Sequence, residues 1–320
     1  MTETAEKTRI VVILGPTSSG KSELAVRLAE TCGGEIVNAD SMQVYRGMDI
    51  GTAKPSPEQR QKVPHHLLDL VEPDAEFSAS DFRREAARAI SGILERGRRV
   101  FVVGGTGLYI KALLKGLVAS PSGDESIRRE LRETALRVGG AELLRRLAEV
   151  DPVTAARLHP NDQVRIVRAL EVFRQTGRPI SSFRSDHGFV GEFYDALKIG
   201  IAVERNELYR RIEERVERMM AEGFPEEVRQ LLARGFDPGL KPFRAIGYKE
   251  LCRYLAGKYS FEEALGLIKR DTRRYAKRQF TWFRQDDEIN WVEYPARFDT
   301  ILQLTMKFYS KGEDHAENTV

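Results

Sequence analysis

Cysteine is scarce in this chain: Cys32 and Cys252 are the only two among 320 residues. Two thiols cannot build a disulfide framework, and no C-x-x-C pair is present to hold structural zinc. Long hydrophobic runs are missing as well. The longest clean ones, such as Ile10–Leu14 and Val100–Val103, fall far short of the ~20 apolar residues that span a bilayer. Met1–Lys7 is polar and acidic, which excludes an apolar signal-peptide core and a basic transit segment. An excess of one charge sign is absent too: 51 Lys+Arg against 48 Asp+Glu leave +3, a sum that favours no particular partner. These absences predict a soluble, cytoplasmic globular protein with reduced thiols and no membrane segment. At ~100–200 residues per domain, the length allows one large domain or two smaller ones.

What is present is an alternation of short β-branched runs with helical periodicity. Ile10–Leu14 reads as a strand ending in a Gly-rich turn, and Lys21–Thr31 as a helix with Leu24 and Leu28 at helical spacing. Glu35–Ala39 is a second strand closing on Asp40. Ala79–Leu94 is a helix with Ser80 as its candidate N-cap. Val100–Val103 is a third strand, running into Gly104-Gly105-Thr106-Gly107. Such alternation predicts a parallel sheet covered by helices on both faces, with ligands at the carboxyl ends of the strands. After Pro121 the chain turns Arg-, Leu- and Ala-rich with no convincing strand until Ala196–Val203, and from Leu208 it is helix-rich. Residues 121–195 are therefore expected to form a helical insertion in an α/β core made of 1–120 and 196–320. Within it, Gln175–Gly191 is the return linker, and the polar tail Lys311–Val320 is expected to fray.

The strongest local signal is Gly15-Pro16-Thr17-Ser18-Ser19-Gly20-Lys21-Ser22, which fits G-x-x-x-x-G-K-[ST] throughout. A strand precedes it and an amphipathic helix follows, as a phosphate loop requires. The glycines permit a tight curl whose N–H groups converge on phosphate, and the helix adds its dipole. Lys21 supplies a full charge, and Ser22 is a candidate Mg²⁺ ligand. The loop alone does not separate an ATPase or kinase from other phosphate chemistry. Asp40 is the only carboxylate ending a clear buried strand near it. Three roles stay open there: metal ligand, general base, or cap of the turn before Ser41.

A second constellation is basic. Ile268–Arg284 holds Lys269, Arg270, Arg273, Arg274, Lys277, Arg278 and Arg284 against the single acid Asp271, with Tyr275, Phe280, Trp282 and Phe283 interleaved. On a helix, Arg270, Arg274, Lys277 and Arg278 share a face. Such a stripe suits polyphosphate or nucleic acid, whereas Phe280, Trp282 and Phe283 are expected to pack into the core. His65-His66 offers little as a metal site, because adjacent side chains in a loop diverge.

The blocks ILGPTSSGKS (13–22), NADSMQVYRGMDIGTAKP (38–55), PHHLLDL (64–70), FSASDFR (77–83), VGGTGLYIKALL (103–114), NDQVRIVRALEV (161–172), AIGYKEL (245–251) and YAKRQFTWFR (275–284) together resemble the tRNA dimethylallyltransferase (isopentenyltransferase) family, bacterial type, in that family's order. The resemblance spans roughly residues 8–295. It implies a P-loop NTPase-like fold and Mg²⁺-dependent transfer of a dimethylallyl group from dimethylallyl diphosphate to N6 of adenosine 37 in the tRNA anticodon loop, by a monomer. Carried over by position, Asp40 is the general base within the tRNA-binding segment Asp40, Ser41, Met42 and Gln43. Thr17 lies against the diphosphate bridging oxygen, within the phosphate loop Gly15–Ser22, and Arg215 binds the diphosphate. Thr106, Arg128 and the segment Gln163, Val164, Arg165, Ile166 and Val167 match tRNA contacts, and the stripe adds Arg274 and Arg278. The alternative reading is a prenyltransferase acting on free AMP, ADP or ATP, against which the insertion and the stripe argue. A P-loop kinase or ATPase, and an RNA-binding protein using nucleotide as a switch, stand further off.

Overall fold

The computed structural model describes residues 7–117, 121, 123–186 and 193–310. The expected frayed tail, Lys311–Val320, and part of the expected return linker lie outside the described residues. Two compact units are present, one drawn from Met1–Leu114 and Phe193–Val320 and the other from Lys115–Glu192. Residues 115 and 192 thus bound the second unit, where the sequence reading set 121 and 195.

The first unit is built on a parallel sheet of β1 (Arg9–Leu14), β2 (Gly34–Asn38), β3 (His65–His66), β4 (Arg99–Gly104), β5 (Asp195–Ala202) and β6 (Asn290–Glu293), in the order β3-β2-β4-β1-β5-β6. β3 and β6 were not foreseen. The first has two residues and the second reads NWVE, both too short and too polar to register as buried strands. In β1 the alternate side chains part to opposite faces. Ile10, Val12 and Leu14 join one core, and Val11 and Ile13 the other. Each such fully buried aliphatic contributes about 1.5–3 kcal/mol.

Helices α1 (Lys21–Cys32), α2 (Pro57–Lys62), α3 (Ala79–Glu95) and α4 (Gly107–Lys115) follow the first strands of this unit. The N-cap of α3 is Ser78, not Ser80: its hydroxyl accepts from Asp81 N, and the Asp81 carboxylate accepts from Ser78 N. Ser78 wins because only it sits three residues before an acid, the spacing of a capping box.

The second unit is helical, with α5 (Glu125–Val150), α6 (Pro152–Ala155), α7 (Gln163–Thr176) and α8 (Ile180–Asp186). Its core gathers Leu131, Leu143, Leu147, Ile166 and Leu170. The first unit resumes after β5 with α9 (Arg205–Ala221), α10 (Phe224–Ala233), α11 (Tyr248–Leu255), α12 (Phe261–Phe283) and, after β6, α13 (Phe298–Ser310). Among the described residues, no helix is long and apolar enough to cross a membrane.

Candidate active site

The loops after β1, β2 and β4 converge at the carboxyl edge of the sheet, as a parallel α/β sheet demands. The phosphate loop after β1 needs left-handed backbone at Gly20 (φ 96°), immediately before Lys21 opens α1. Even Ser18 is held at φ 63°, a cost of order 1–3 kcal/mol that surrounding contacts must offset. The Ser18 and Ser19 hydroxyl oxygens are buried without a partner among the described residues. Orphaned hydroxyls at the bend of a phosphate loop are donors waiting for an oxyanion.

A cavity of about 350 Å³ opens beside this loop. Lys21, Arg215, Arg244 and Arg278 line it, with Asp40 the one carboxylate among its lining residues. Burial, then the neighbouring Arg215, pushes the Lys21 ammonium down to about 8, against a smaller upward pull from Asp40. Burial also lowers the Arg215 guanidinium, with Asp40 opposing. Arg215 thus disfavours the Lys21 ammonium, and Arg218 disfavours the Arg215 guanidinium, so an anion at this site would stabilise both. Arg215 is the arginine of its cluster that faces the cavity. Arg210 pairs with Glu207 and Glu214, and Arg211 with Glu207.

Asp40 continues from β2. Its Oδ1 accepts from Met42 N at 2.8 Å, so it does cap the following turn, and its second oxygen has no such backbone partner among the described residues. Ser41, Met42 and Gln43 also line the cavity. Ser41 N donates to Thr106 Oγ1 at 3.1 Å, so Thr106 ties the β4 turn to the Asp40 turn. The opposite wall is apolar: Val216, Met219, Phe224, Ile246 and Ile268. Tyr275 stands there too, its phenol pushed up to about 12 by burial and by Asp40.

Several functional positions escaped the sequence reading. Glu227 of α10 accepts from Asp49 N, Ile50 N and Gly51 N at 2.8, 2.6 and 3.2 Å and from the Tyr248 hydroxyl at 2.6 Å, which fixes the loop whose Gly51 and Thr52 line the cavity. Gln279 of α12 lines the cavity and bridges two of the loops. Glu227 carries no motif, and Gln279, although inside the block YAKRQFTWFR, was not singled out as a site residue. Gln279 is an uncharged residue among cations, and Glu227 lies 176 residues from Gly51.

The basic stripe lies on α12 as one helix, yet not every cation in it is available. Lys269 turns to Glu217 at 2.5 Å and Arg273 to Glu213, both on α9. Asp271 engages Arg270 and, at 3.5 Å, Arg274. Lys277 and Arg278 have no carboxylate partner among the described residues, and Arg274, Lys277 and Arg278 are exposed. Phe283 is buried and Phe280 stacks on Trp291 with centroids 5.9 Å apart, but Trp282 is 40% exposed, contrary to expectation. Residues 280 and 283 share a helix face that residue 282 cannot share. The two histidines diverge: His65 Nδ1 lies 2.7 Å from Val63 O, and His66 Nε2 lies 2.7 Å from Glu35 Oε2.

In the second unit, Arg128 is half-buried and held by an ion pair. Its Nε donates to Glu171, which is fully buried and also takes Arg168 and Asp124 N. Gln163, Val164 and Arg165 open α7 with exposed side chains. Ile166 and Val167 are core residues instead, 0% and 6% exposed. Within the segment 163–167 that the resemblance sets against tRNA, these two side chains belong to the face of α7 that closes the unit's own core.

A phosphate cradle, a cationic pair, one carboxylate and an apolar wall at the carboxyl edge of a parallel sheet define a P-loop enzyme of the α/β class. Residues 43–286 match the IPP transferase family. The chain belongs to that family. It is 67% identical over 310 residues to "tRNA dimethylallyltransferase 2" of Geotalea uraniireducens, covering 97% of this chain and 100% of that one. Among solved structures it is similar to the full-length tRNA isopentenylpyrophosphate transferase of Bacillus halodurans, at TM-score 0.71 and 39% identity over 97% of this chain and 100% of that one. It is also similar to a eukaryotic dimethylallyltransferase acting on tRNA, at TM-score 0.77 and 29% identity over 97% of this chain and 80% of that one.

Proposed function

We propose that this chain, acting as a cytoplasmic monomer, transfers the dimethylallyl group of dimethylallyl diphosphate to N6 of adenosine 37 in tRNA. The observation that carries the reading is Asp40 in one cavity with Lys21 and Arg215, between a phosphate loop and an apolar wall. Allylic C–O cleavage builds positive charge on carbon and negative charge on the departing diphosphate. Lys21, Arg215 and the donors of the phosphate loop stabilise that separation more than they stabilise the intact substrate. Thr17 lines the same cavity, and in this reading it meets the bridging oxygen. The apolar wall receives the dimethylallyl group and keeps water from the allylic carbon. As the C–N bond forms, the N6 proton leaves to the Asp40 oxygen that Met42 N does not occupy. Extruding adenine from a single-stranded loop costs only a few kcal/mol.

Mg²⁺ fits the donor set. Among the described residues no cluster of three His, Cys, Asp or Glu exists, and Mg²⁺ is commonly bound by few protein ligands together with substrate phosphates. Ser22, which lines the cavity, would hold it with diphosphate oxygens, and the ion would offset charge on the leaving group.

Purified protein incubated with Mg²⁺, labelled dimethylallyl diphosphate and tRNA bearing unmodified adenosine 37 should label the tRNA. An unlabelled tRNA at saturating substrate would sink the reading, and label in AMP would favour the free-nucleotide enzyme.

Two further outcomes follow from the geometry. Lys21 must be protonated to meet the diphosphate, and its ammonium titrates at about 8 in the free protein. Its charge is present below that value and lost above it, so kcat/KM for dimethylallyl diphosphate should fall as pH rises through about 8. Lys21→Arg should be slower but lose this fall, and an unchanged pH profile in that variant would count against Lys21 as the titrating group. Neutralising Arg274 and Arg278 to Gln should weaken tRNA binding and flatten the plot of log K against log salt by about one to two phosphate contacts. An unaltered slope would assign the stripe elsewhere.

A further inference from the structure

The side-chain amide of Gln279 sits where two substrate loops meet. Its Oε1 accepts from Thr17 N at 2.9 Å, in the phosphate loop after β1. Its Nε2 donates to Gly105 O at 2.9 Å, in the turn after β4. The residue is 6% exposed, and its bond to Gly105 O is buried. A Cβ on Gly105 would come within 2.3 Å of that Nε2, so any side chain there would displace the amide. Thr272, Tyr275 and Arg278 of the same helix also line the cavity.

We propose that Gln279 is a positioning residue for the transfer reaction, one that fixes the Thr17 segment of the phosphate loop so that its side chain faces the diphosphate. The proposal rests on the function assigned above and names a residue of that same site. With its N–H taken up by Gln279, Thr17 has its side chain left to meet the ligand. The task requires an acceptor and a donor on one planar group, which an amide supplies and a carboxylate does not. With Glu at this position, one oxygen would still accept from Thr17 N. The other would face the Gly105 carbonyl with no proton between them, and a negative charge would sit beside the diphosphate. Protonating that carboxyl restores one donor and one acceptor and removes the charge. The Glu variant is therefore a defect that acid should repair.

The test compares wild type, Gln279→Glu and Gln279→Met from pH 6 to pH 8.5, by single-turnover transfer to tRNA and by calorimetric binding of inorganic diphosphate with Mg²⁺. At pH 8, Gln279→Glu should bind diphosphate at least about tenfold more weakly than wild type and transfer at least about tenfold more slowly. Relative to wild type at each pH, both quantities should recover several-fold as pH falls, while KM for tRNA stays near the wild-type value. Gln279→Met, which fills similar volume without hydrogen bonds, should lose binding and rate at every pH with no acid recovery. Taking ratios to wild type removes every pH effect that the three proteins share, the ionisation of diphosphate included. A pH-independent ratio for Gln279→Glu, or wild-type behaviour of Gln279→Met, would overturn the proposal. If wild type labels no tRNA yet the diphosphate pattern holds, the transfer reading falls and the positioning of the phosphate loop stands.

Discussion

Asp40→Asn is expected to slow single-turnover prenyl transfer by about 10²–10⁴-fold while tRNA affinity stays within about twofold. The substitution isolates the base from the cap. Asp40 Oδ1 accepts from Met42 N at 2.8 Å, and the amide oxygen of Asn retains that bond, so the turn carrying Ser41, Met42 and Gln43 keeps its shape. What is lost is the second carboxylate oxygen as a proton acceptor. The exocyclic amine of adenine is a weak nucleophile, and its proton must leave as the C–N bond forms. Asp40→Ala would remove cap and base together and confuse the two. A single-turnover rate for Asp40→Asn within threefold of wild type would refute Asp40 as the base.

The second large effect concerns stability. Glu227→Ala should destabilise the first unit by about 2–4 kcal/mol, read from the urea midpoint at unchanged slope. Three backbone N–H groups and the Tyr248 hydroxyl converge on this carboxylate. Tyr248 is 0% exposed, and burial, reinforced by Glu227, raises its phenol well above the usual range, so the group stays a donor that needs an acceptor. Removing the acceptor strands all four donors, partly relieved by water at the exposed edge. Transfer activity should fall with stability, because Gly51 and Thr52 line the cavity. Glu227→Gln, which keeps one acceptor oxygen, should recover part of both losses. An unshifted midpoint for Glu227→Ala would mean that the loop at 49–53 is held by other contacts, foremost the buried Lys54 ammonium on Tyr45 O, Asp49 and Asp69.

The sheet's central strands and the phosphate loop were legible because their signals are local. A β-branched run of five or six residues, or a glycine pattern with Lys21 at a fixed place, announces itself within a dozen positions. Asp40 was legible for the same reason, as the one acid closing a buried run. Contacts made across the chain left no such trace. Gln279 reaches Thr17 across 262 residues, and Glu227 reaches Gly51 across 176. The basic stripe was overcounted on similar grounds. Local arithmetic gave seven cations to one acid, but Glu213 and Glu217 arrive from another helix and occupy Arg273 and Lys269. Ser78 displaced Ser80 at the α3 cap on a distinction the sequence did contain, the three-residue spacing to Asp81.

One backbone bond from the first unit has an evolutionary reading. Phe193 N donates to Leu114 O at 3.1 Å, so the chain leaves the sheet unit and re-enters it at a single closed gate. Whatever is strung between those two residues adds no new path through β5 or α4. Splices of this kind, with neighbouring ends on an otherwise finished unit, are where inserted segments are tolerated. The unit drawn from Lys115–Glu192 is therefore spliced into the first at one point, without re-threading its sheet.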